Sequence, residues 1–356
     1  MSRGQQTNIA QYWVILRVMG RYIQNFEALA ENDLRADALS IAEAGYEAIH
    51  VGAALERKLH LDREELRVGG KVYSLAGRNT FFVGIGKCAF VAAEAIEKLL
   101  GDRLTGGIAL DVSPLLGRTF TKIKTFVGTH PLPSETNVEA TRSIVEFLAC
   151  RTENDLVIML ISGGGSTLLC LHYAPMTCLD ESTLWKELTA KGATIQDINI
   201  VRKHLSQARG GGLAKAAYPA EIISLIVSDV PGNDIEFISS GPTVMDSSTV
   251  ADAHAVLAKY GIGASSHITF IETPKEEKYF DRVNNVLFLT NQDALTAMKD
   301  EAEKRGYAAT VVNDRITGEA WVISSDVAEK LHSAPANTAL LYAGESTVTL
   351  SGSVGA

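Results

Sequence analysis

The stretch DLVIMLI, residues 155–161, runs directly into SGGGST, residues 162–167. After its first residue this run is apolar without polar alternation, which is typical of a strand in a parallel sheet that helices cover on both faces. Similar short runs occur at residues 81–85 and 221–228, and a helical pattern follows the first of them at residues 89–100. Strands that alternate with helices in this way predict an α/β, doubly wound fold with a mostly parallel sheet.

The remaining sequence patterns predict how the chain is organised. Apolar residues at helical spacing between residues 12 and 61 predict two helices that lead into the fold. A charged stretch, residues 272–282, opens with Thr273-Pro274 and is the predicted domain boundary. Beyond it we predict further strands and helices, at residues 286–290, 293–305, 308–312, 320–331 and 339–342. The predicted segments are a helical lead-in, a main α/β domain and a second, smaller α/β domain, at residues 1–35, 36–280 and 281–356.

Composition excludes several classes of protein. Among 356 residues, 42 acidic side chains against 33 basic ones give a net charge of −9, which argues against nucleic-acid binding. The longest apolar run, residues 156–161, is far shorter than the roughly 20 residues that a membrane-spanning helix needs. The first residues lack a signal-peptide pattern, and the four cysteines form no CxxC pair. We therefore expect a cytoplasmic protein with reduced thiols.

Two glycine-rich turns follow predicted strands. Gly84-Ile85-Gly86-Lys87 places a lysine where a helix begins, and N–H groups at a helix start favour anions. This is not a Walker A loop, because the four-residue spacer is absent and Cys88 follows the lysine. Ser162-Gly163-Gly164-Gly165-Ser166 offers backbone N–H groups and hydroxyls that suit a phosphate. A solvated turn and a flexible linker are the alternative interpretations of the two segments.

A basic cluster and two carboxylates follow later in the chain. Asn199, Arg202, Lys203, His204 and Ser206 precede a second triple glycine, and such a focus of positive charge suits a polyanionic substrate. A solvated helix face explains the arginine and the lysine almost as well, and a structural, hydrogen-bonded role explains the histidine better.

After the next predicted strand come Asp229 and Asp234, and then the loop Ser240-Gly241-Pro242-Thr243. The two carboxylates are candidate Mg²⁺ ligands. Helix capping and turn formation are their alternative roles. Anion-binding turns, a lysine, a basic cluster and carboxylates around a common cleft are the parts that phosphoryl transfer needs, so the residues predict a kinase.

Five segments in order, GIGK, HPLP, SGGGS, Asn199 with VRKHLS, and SDV through SGPT, resemble the glycerate 2-kinase family. In that family a glycerate-kinase domain precedes a smaller MOFRL domain, and many relatives are labelled hydroxypyruvate reductase. The resemblance implies ATP-dependent phosphorylation of D-glycerate at its 2-hydroxyl, with Mg²⁺ and with Lys87 as catalytic residue. It implies that Asp229 and Asp234 lie near the metal. The implied substrate and phosphate contacts are Gly84, Gly86, Ser162, Gly163, Gly164, Gly165, Ser166, Asn199, Arg202, Lys203, His204, Ser206, Ser240, Gly241, Thr243 and Glu345.

Three departures from the family pattern weaken the expectation of activity. Asn233 replaces one carboxylate of a Gly-Asp-Asp sequence, and Gly212 replaces an arginine. The family's second catalytic arginine belongs to a stretch that follows the position of residue 356. We therefore expect either a fragment, with residues 347–350 as a strand with few later partners, or a short protein that completes its domain with a partner such as a second copy.

Two alternative functions stay open. The first is a catalytically inactive relative that binds nucleotide or glycerate. The second is an NAD(P)-dependent hydroxypyruvate reductase, against which we note that no third glycine follows Gly84-Ile85-Gly86.

Overall fold

The structure is a computed structural model that describes residues 21–228, 230, 232–263 and 268–348. Contacts divide the chain into two compact units. The sheet unit comprises residues 55–228 and 234–288, and the split unit comprises residues 1–54, 229–233 and 289–356. These units do not coincide with the predicted segments 1–35, 36–280 and 281–356, and the charged stretch 272–282 lies within the sheet unit. The assignment of residues 281–356 to a MOFRL-like domain stays a prediction.

The helices and strands of the described residues are named in chain order. The helices are α1 (Phe26–Leu29), α2 (Asp33–Ile49), α3 (Val51–Lys58), α4 (Ala89–Leu100), α5 (Glu135–Ala149), α6 (Gly165–Leu168), α7 (Cys178–Ala190), α8 (Ile195–His204), α9 (Gly212–Ala217), α10 (Val250–Lys259), α11 (Asn291–Lys304) and α12 (Ala320–Ser333). The strands are β1 (His60–Asp62), β2 (Glu65–Val68), β3 (Lys71–Ser74), β4 (Asn79–Ile85), β5 (Leu104–Asp111), β6 (Ile123–Val127), β7 (Asp155–Ile161), β8 (Glu221–Val227), β9 (Val283–Leu289), β10 (Ala308–Ile316) and β11 (Thr338–Gly344).

A six-stranded sheet in the order β6-β5-β4-β7-β8-β9 forms the core of the sheet unit. The β5–β6, β4–β5, β4–β7 and β7–β8 pairs are parallel, and Phe82 lies opposite both Gly107 and Ile158. All seven residues of β7 are buried, as the uninterrupted apolar run predicts. Helix α4 packs against β4 and β5 through buried residues that include Phe90 and Ile96. The predicted α/β fold with a mostly parallel sheet is confirmed.

Two parts of the sheet unit were not predicted from the sequence. Strands β1, β2 and β3 form a separate antiparallel sheet. Helices α7, α8 and α10 share an apolar cluster that includes Leu184, Val201 and Leu257. Short half-exposed strands and an apolar cluster assembled from distant segments leave little local periodicity, so sequence patterns detect them poorly.

The split unit contains the parallel pair β10 and β11, and helix α11 packs against both strands and against α2. Its buried cluster comprises Ile41, Leu295, Ala302 and Leu341. The helices and strands predicted between residues 286 and 342 are present, although β10 extends to Ile316. Of the strand predicted at 347–350, Thr347 forms a bridge with Glu319, and residues 349 and 350 lie outside the described residues. Among the described residues, no helix combines the length and the apolar character needed to cross a bilayer.

Candidate functional site

Backbone hydrogen bonds join the loops that follow β4 and β7. The N–H of Lys87 donates to the carbonyl of Gly163 at 3.0 Å, and the N–H of Ser162 donates to the carbonyl of Ile85 at 2.9 Å. Because β4 and β7 are parallel neighbours, their carboxyl ends meet at one edge of the sheet. The structure therefore brings the two predicted glycine-rich turns together, while Gly84 lies inside β4 itself.

Lys87, Gly164 and His130 converge at this edge. A Cβ placed on Gly164 would lie 3.3 Å from Cγ and Cε of Lys87 and 3.5 Å from Cδ2 of His130. The side chain of Lys87 is exposed at the start of α4. Burial, and then the charges of Lys87 and Arg202, lower the pKa of His130 below its ordinary value of 6.5. The arrangement combines a cation, backbone N–H groups and an imidazole that is neutral at neutral pH.

Hydroxyl groups connect the glycine-rich loop after β7 with the Ser239-Ser240 loop. The hydroxyls of Ser166 and Ser240 are 2.8 Å apart, and Ser240 donates to Oδ1 of Asn199 at 2.9 Å. Ser239 donates to the carbonyl of Ser162 at 2.8 Å. Three of the predicted contact residues therefore form one hydrogen-bonded row.

Arg202, which follows Asn199 by one turn of α8, belongs to a buried charge cluster. Its Nε lies 3.2 Å from Oε1 of Glu181, and Nη2 of Arg209 lies 3.0 Å from the same oxygen. His172 donates from Nε2 to Oε2 of Glu181 at 2.6 Å. Burial opposes ionisation of Glu181, but Arg209, the hydrogen bond from His172 and Arg202 together lower the pKa of this carboxyl below 4.5. Glu181 is therefore an ionised carboxylate shared by two guanidinium groups.

Cys170, His172 and Glu181 are also placed as metal ligands could be, with ligand atoms within 4.8 Å of one another. Two guanidinium groups already neutralise the carboxylate, and a third cation beside them would be repelled. Burial also raises the pKa of the Cys170 thiol, which opposes the thiolate that a metal would need. The cluster is therefore better described as a hydrogen-bonded ion cluster than as a metal centre.

The rest of the predicted basic cluster makes structural contacts. Nζ of Lys203 is buried 2.5 Å from Oδ1 of Asp246. His204 is buried between the carbonyl of Ile271 and the hydroxyl of Ser248. The hydroxyl of Ser206 accepts from the N–H groups of Ala208 and Arg209. The charge of this lysine is thus neutralised within the protein, and the contacts of the histidine are those of a structural residue.

Two other predicted residues, Thr243 and Gly241, contact residues outside the Lys87–His130 group. The Thr243 hydroxyl is 3.0 Å from that of Ser224 and donates to Oδ1 of Asn285 at 2.7 Å. Gly241 lies in the turn between Ser240 and Thr243, and its N–H donates to the carbonyl of Ile238. These contacts attach the loop after Ser240 to β8 and β9.

Two further predicted residues, Asp234 and Glu345, make contacts with backbone groups. Asp234 is exposed, and its Oδ1 accepts from the N–H of Glu236 at 3.0 Å, a turn-capping contact. Asp229 lies outside the described residues. Glu345 is an exposed residue of the split unit, and its N–H donates to the carbonyl of Ile316.

Two residues of this region were missed by sequence reasoning. His130 stands in the HPLP segment that contributes to the resemblance, and its position after β6 was the signal that could have identified it. Glu181 stands in an ordinary helical sequence, and nothing local distinguishes it from a solvated glutamate. Only its buried contacts with Arg202 and Arg209 do so.

Comparison with known proteins places these observations in a family. Residues 37–271, more than half of the chain, match the model of a domain of unknown function, DUF4147. A glycerate kinase of Bos taurus is 35% identical over 335 residues, which cover 88% of this chain and 64% of that protein. A D-glycerate 2-kinase of Thermotoga maritima is 30% identical over 90% of this chain and 75% of its own length.

A crystal structure of glycerate kinase from Thermotoga maritima has a similar fold. It superposes with a TM-score of 0.76 at 30% identity and covers 90% of this chain and 77% of that one. The chain spans less than two thirds of the length of the mammalian glycerate kinases it matches. The family model, the relatives and the shared fold agree, and this chain belongs to the glycerate kinase family that carries the DUF4147 domain.

Proposed function

We propose that this chain phosphorylates D-glycerate at its 2-hydroxyl with ATP as donor, giving 2-phosphoglycerate and ADP. The observation that carries the proposal is the convergence of Lys87, Gly164 and His130 at the carboxyl edge of the sheet. Ligands bind at this edge in open α/β sheets. Relatives named glycerate kinase and D-glycerate 2-kinase supply the substrate and the position of the hydroxyl.

Each member of the group has a role that follows from its chemistry. The Lys87 ammonium would neutralise negative charge on the transferred phosphoryl group, which is where phosphoryl transfer needs stabilisation. The backbone N–H groups of residues 163, 164 and 166, where α6 begins, would bind phosphate oxygens together with the hydroxyl of Ser166, while the N–H of Gly165 donates to the carbonyl of Ser162. His130, neutral at neutral pH, would accept the proton that leaves the 2-hydroxyl.

Mg²⁺ is part of the proposal, and its ligands would be Asp229 and Asp234 with phosphate oxygens. Carboxylate oxygens are the donors that Mg²⁺ prefers, and one or two of them commonly suffice beside a nucleotide. The exposed carboxylate of Asp234 fits this role, because within the described part of the chain its one side-chain contact is Oδ1 with the N–H of Glu236. When bound, the ion would neutralise phosphate charge.

The reductase alternative fits the structure poorly, for a different reason from the missing third glycine. Ala89 occupies that third position, and dinucleotide fingerprints also accept alanine there, so the sequence argument is weaker than expected. Asp111 ends β5, where such a fingerprint would have its ribose-binding acid. Its carboxylate is buried and accepts from the N–H groups of Phe90, Val112 and Ser113. Three of about four acceptor sites of this buried carboxylate are already used by the protein's own backbone, which disfavours a bidentate contact with a ribose.

The finer features of the proposal rest on the sequence. The acidic composition and four cysteines that form no disulfide support a cytoplasmic enzyme of carbohydrate metabolism. The proposal also includes a MOFRL-like identity for residues 281–356 and a homodimer. Light scattering of the purified chain tests the homodimer directly.

The experiment that tests the proposal measures ADP formation by the purified chain with D-glycerate, ATP and Mg²⁺, and identifies the product by phosphorus NMR. We expect 2-phosphoglycerate, and a loss of kcat of about 100-fold or more in Lys87→Ala, since one lost charge contact in a transition state has that effect. Lys98→Ala is the matched control, because Lys98 lies on α4, the helix that follows Lys87, in an exposed pair with Glu56.

Three other results would contradict the proposal in whole or in part. Nucleotide binding without turnover would indicate an inactive binding relative. NADPH oxidation with hydroxypyruvate would indicate a reductase. Formation of 3-phosphoglycerate would retain the kinase and reject the position of transfer.

A further inference from the structure

The buried cluster around Glu181 contains more positive than negative charge. Glu181, Arg202 and Arg209 are 1%, 6% and 0% exposed, so water cannot screen their charges. One carboxylate faces two guanidinium groups and accepts a hydrogen bond from His172. Burial raises the pKa of the neighbouring Cys170 thiol and keeps that group neutral. Burying a charge without a partner is unfavourable in free energy. An anionic ligand would therefore stabilise the excess positive charge of this cluster.

The two arginines are not equivalent. Arg209 donates from Nη1 and Nη2 to Oε2 of Glu181 at 3.2 Å and also lies 3.0 Å from Oε1 through Nη2. Arg202 has one ion-pair contact, through Nε, and its guanidinium lies over the Trp185 ring. Among the described residues, Nε and Nη2 of Arg202 have no hydrogen-bond acceptor, whereas in Arg209 this holds for Nε alone. Arg209 is therefore the main counter-ion of the carboxylate. The same carboxylate fixes Arg202, which keeps N–H donors that no described residue accepts.

A buried water would not remove this imbalance. A cavity of about 10 Å³ lies beside Arg202, lined by Glu181, Trp185 and Leu205 among others. A space of that size holds about one water molecule. Such a water can accept a hydrogen bond from a guanidinium group, but it carries no charge.

The helix that carries Arg202 also contributes a residue to the hydrogen-bonded row of the proposed active site. Arg202 lies three residues after Asn199 on α8, and residues with this spacing share one face of a helix. Asn199 accepts from Ser240, which contacts Ser166 of the glycine-rich loop. Arg202 and Lys87 both lower the pKa of His130, so both charges act on the same imidazole.

We propose that Glu181 is a positioning residue, which holds Arg202 as the receptor for an anionic oxygen of the ligand. The shared chemistry is an oxyanion, and its two sources are the carboxylate of glycerate and a phosphate of the nucleotide. Planar guanidinium groups bind both with paired hydrogen bonds. This inference rests on the proposed function, because it assigns a role at the same site.

Steady-state kinetics of Arg202→Lys, Glu181→Gln and Glu181→Asp test the inference, with KM determined separately for glycerate and for ATP. We expect the KM of one substrate to rise about tenfold or more in Arg202→Lys, with a smaller change in kcat, because uniform binding is lost. Glu181→Gln should raise the KM of that same substrate. Glu181→Asp, which retains the charge, should restore part of the affinity. A rise for glycerate identifies the carboxylate as the bound group, and a rise for ATP identifies the phosphate.

Cys178→Ala is the matched control, since it removes a buried thiol from α7, the helix of Glu181, and that thiol donates to Oε1 of Glu135 at 3.0 Å. Its two KM values should equal those of the parent chain. If Glu181→Gln does not fold, Arg202→Lys and Glu181→Asp carry the test.

Failure of the inference can be distinguished from failure of the proposed function. If the parent chain is active and these variants lose thermal stability or active fraction with both KM values unchanged, Glu181 is structural and the inference alone is overturned. If the parent chain neither phosphorylates glycerate nor binds it in calorimetry, both the inference and the proposed function are overturned.

Discussion

The side chain of Ser162 occupies the space beside Gly86 so closely that a Cβ on residue 86 would lie 2.2 Å from its Oγ. The backbone at Gly86 also has a φ of +115°, a conformation that residues with a Cβ rarely adopt. The same contact brings the N–H of Lys87 to the carbonyl of Gly163. The lysine is therefore held beside the glycine-rich loop by a close approach that only glycine permits.

Substitution Gly86→Ala should separate these two loops. We expect a loss of about 1–3 kcal/mol in the free energy of unfolding, since overpacking a buried contact has that range, and a fall in kcat of about tenfold or more. Urea unfolding and the ADP assay measure the two effects. Gly106→Ala is the control, because the nearest atom to a Cβ on Gly106 is the carbonyl oxygen of Lys122 at 3.8 Å. Equal effects of the two substitutions would contradict the role of the close approach.

His130 predicts how activity depends on pH. Because its pKa is lowered from 6.5, the neutral imidazole should be present at neutral pH and lost as the pH falls below that value. We expect kcat/KM to decline on the acid side with a midpoint below 6.5. His130→Gln should lower kcat and remove this acid limb. An unchanged limb in that variant would assign it to another group, and His332→Gln, at an exposed position on α12, is the control.

The Lys203–Asp246 pair predicts how stability depends on pH. Burial opposes ionisation of Asp246, but its hydrogen bond with Lys203 and the lysine charge lower the pKa of this carboxyl below 3.8. A carboxyl with a lowered pKa in the folded protein stabilises it above the pKa of the unfolded chain, and that contribution disappears as the pH falls through the folded-state pKa. Urea midpoints should therefore decrease as the pH falls below about 4.

In Asp246→Asn the free energy of unfolding at neutral pH should be about 3–5 kcal/mol lower, because Lys203 is left buried without this carboxylate. The urea midpoint should decrease accordingly. The further decrease in acid should be smaller than in the parent chain. Asp102→Asn, at a fully exposed side chain, should follow the parent. A parallel acid profile in Asp246→Asn would show that other groups cause the transition.

The four cysteines should differ in their reactivity toward a thiol reagent. Cys150 is exposed and should react first, whereas Cys170 and Cys178 are buried. Burial and the hydrogen bond with Glu135 raise the pKa of Cys178 to about 11, and the pKa of Cys170 is raised as well, so both thiols resist forming thiolate. Labelling followed by mass spectrometry should show Cys170 and Cys178 modified only in urea. Their rapid labelling in the native chain would refute this packing, and Cys150→Ser should abolish the fast phase.

Local sequence determined much of the fold. The apolar runs at β4, β7 and β8 predicted a parallel sheet, and glycines directly after β4 and β7 predicted turns at one edge. These features can be read without a structure because strand burial and turn conformation depend on neighbouring residues. The lysine at position 87 was placed by the same argument, since it directly follows a strand and precedes a helix.

Tertiary structure alone decided which polar residues of the candidate site are engaged elsewhere. Lys203 and Arg202 are adjacent and look alike in sequence, yet Lys203 is neutralised by Asp246, whereas Nη2 of Arg202, beside Glu181, has no acceptor in the described part of the chain. Asp246 lies 43 residues from Lys203 in the chain, and no local pattern encodes that pairing. The physical reason is that the free energy of a buried charge depends on its neighbours in space, whereas helix and strand formation depends largely on neighbours in sequence.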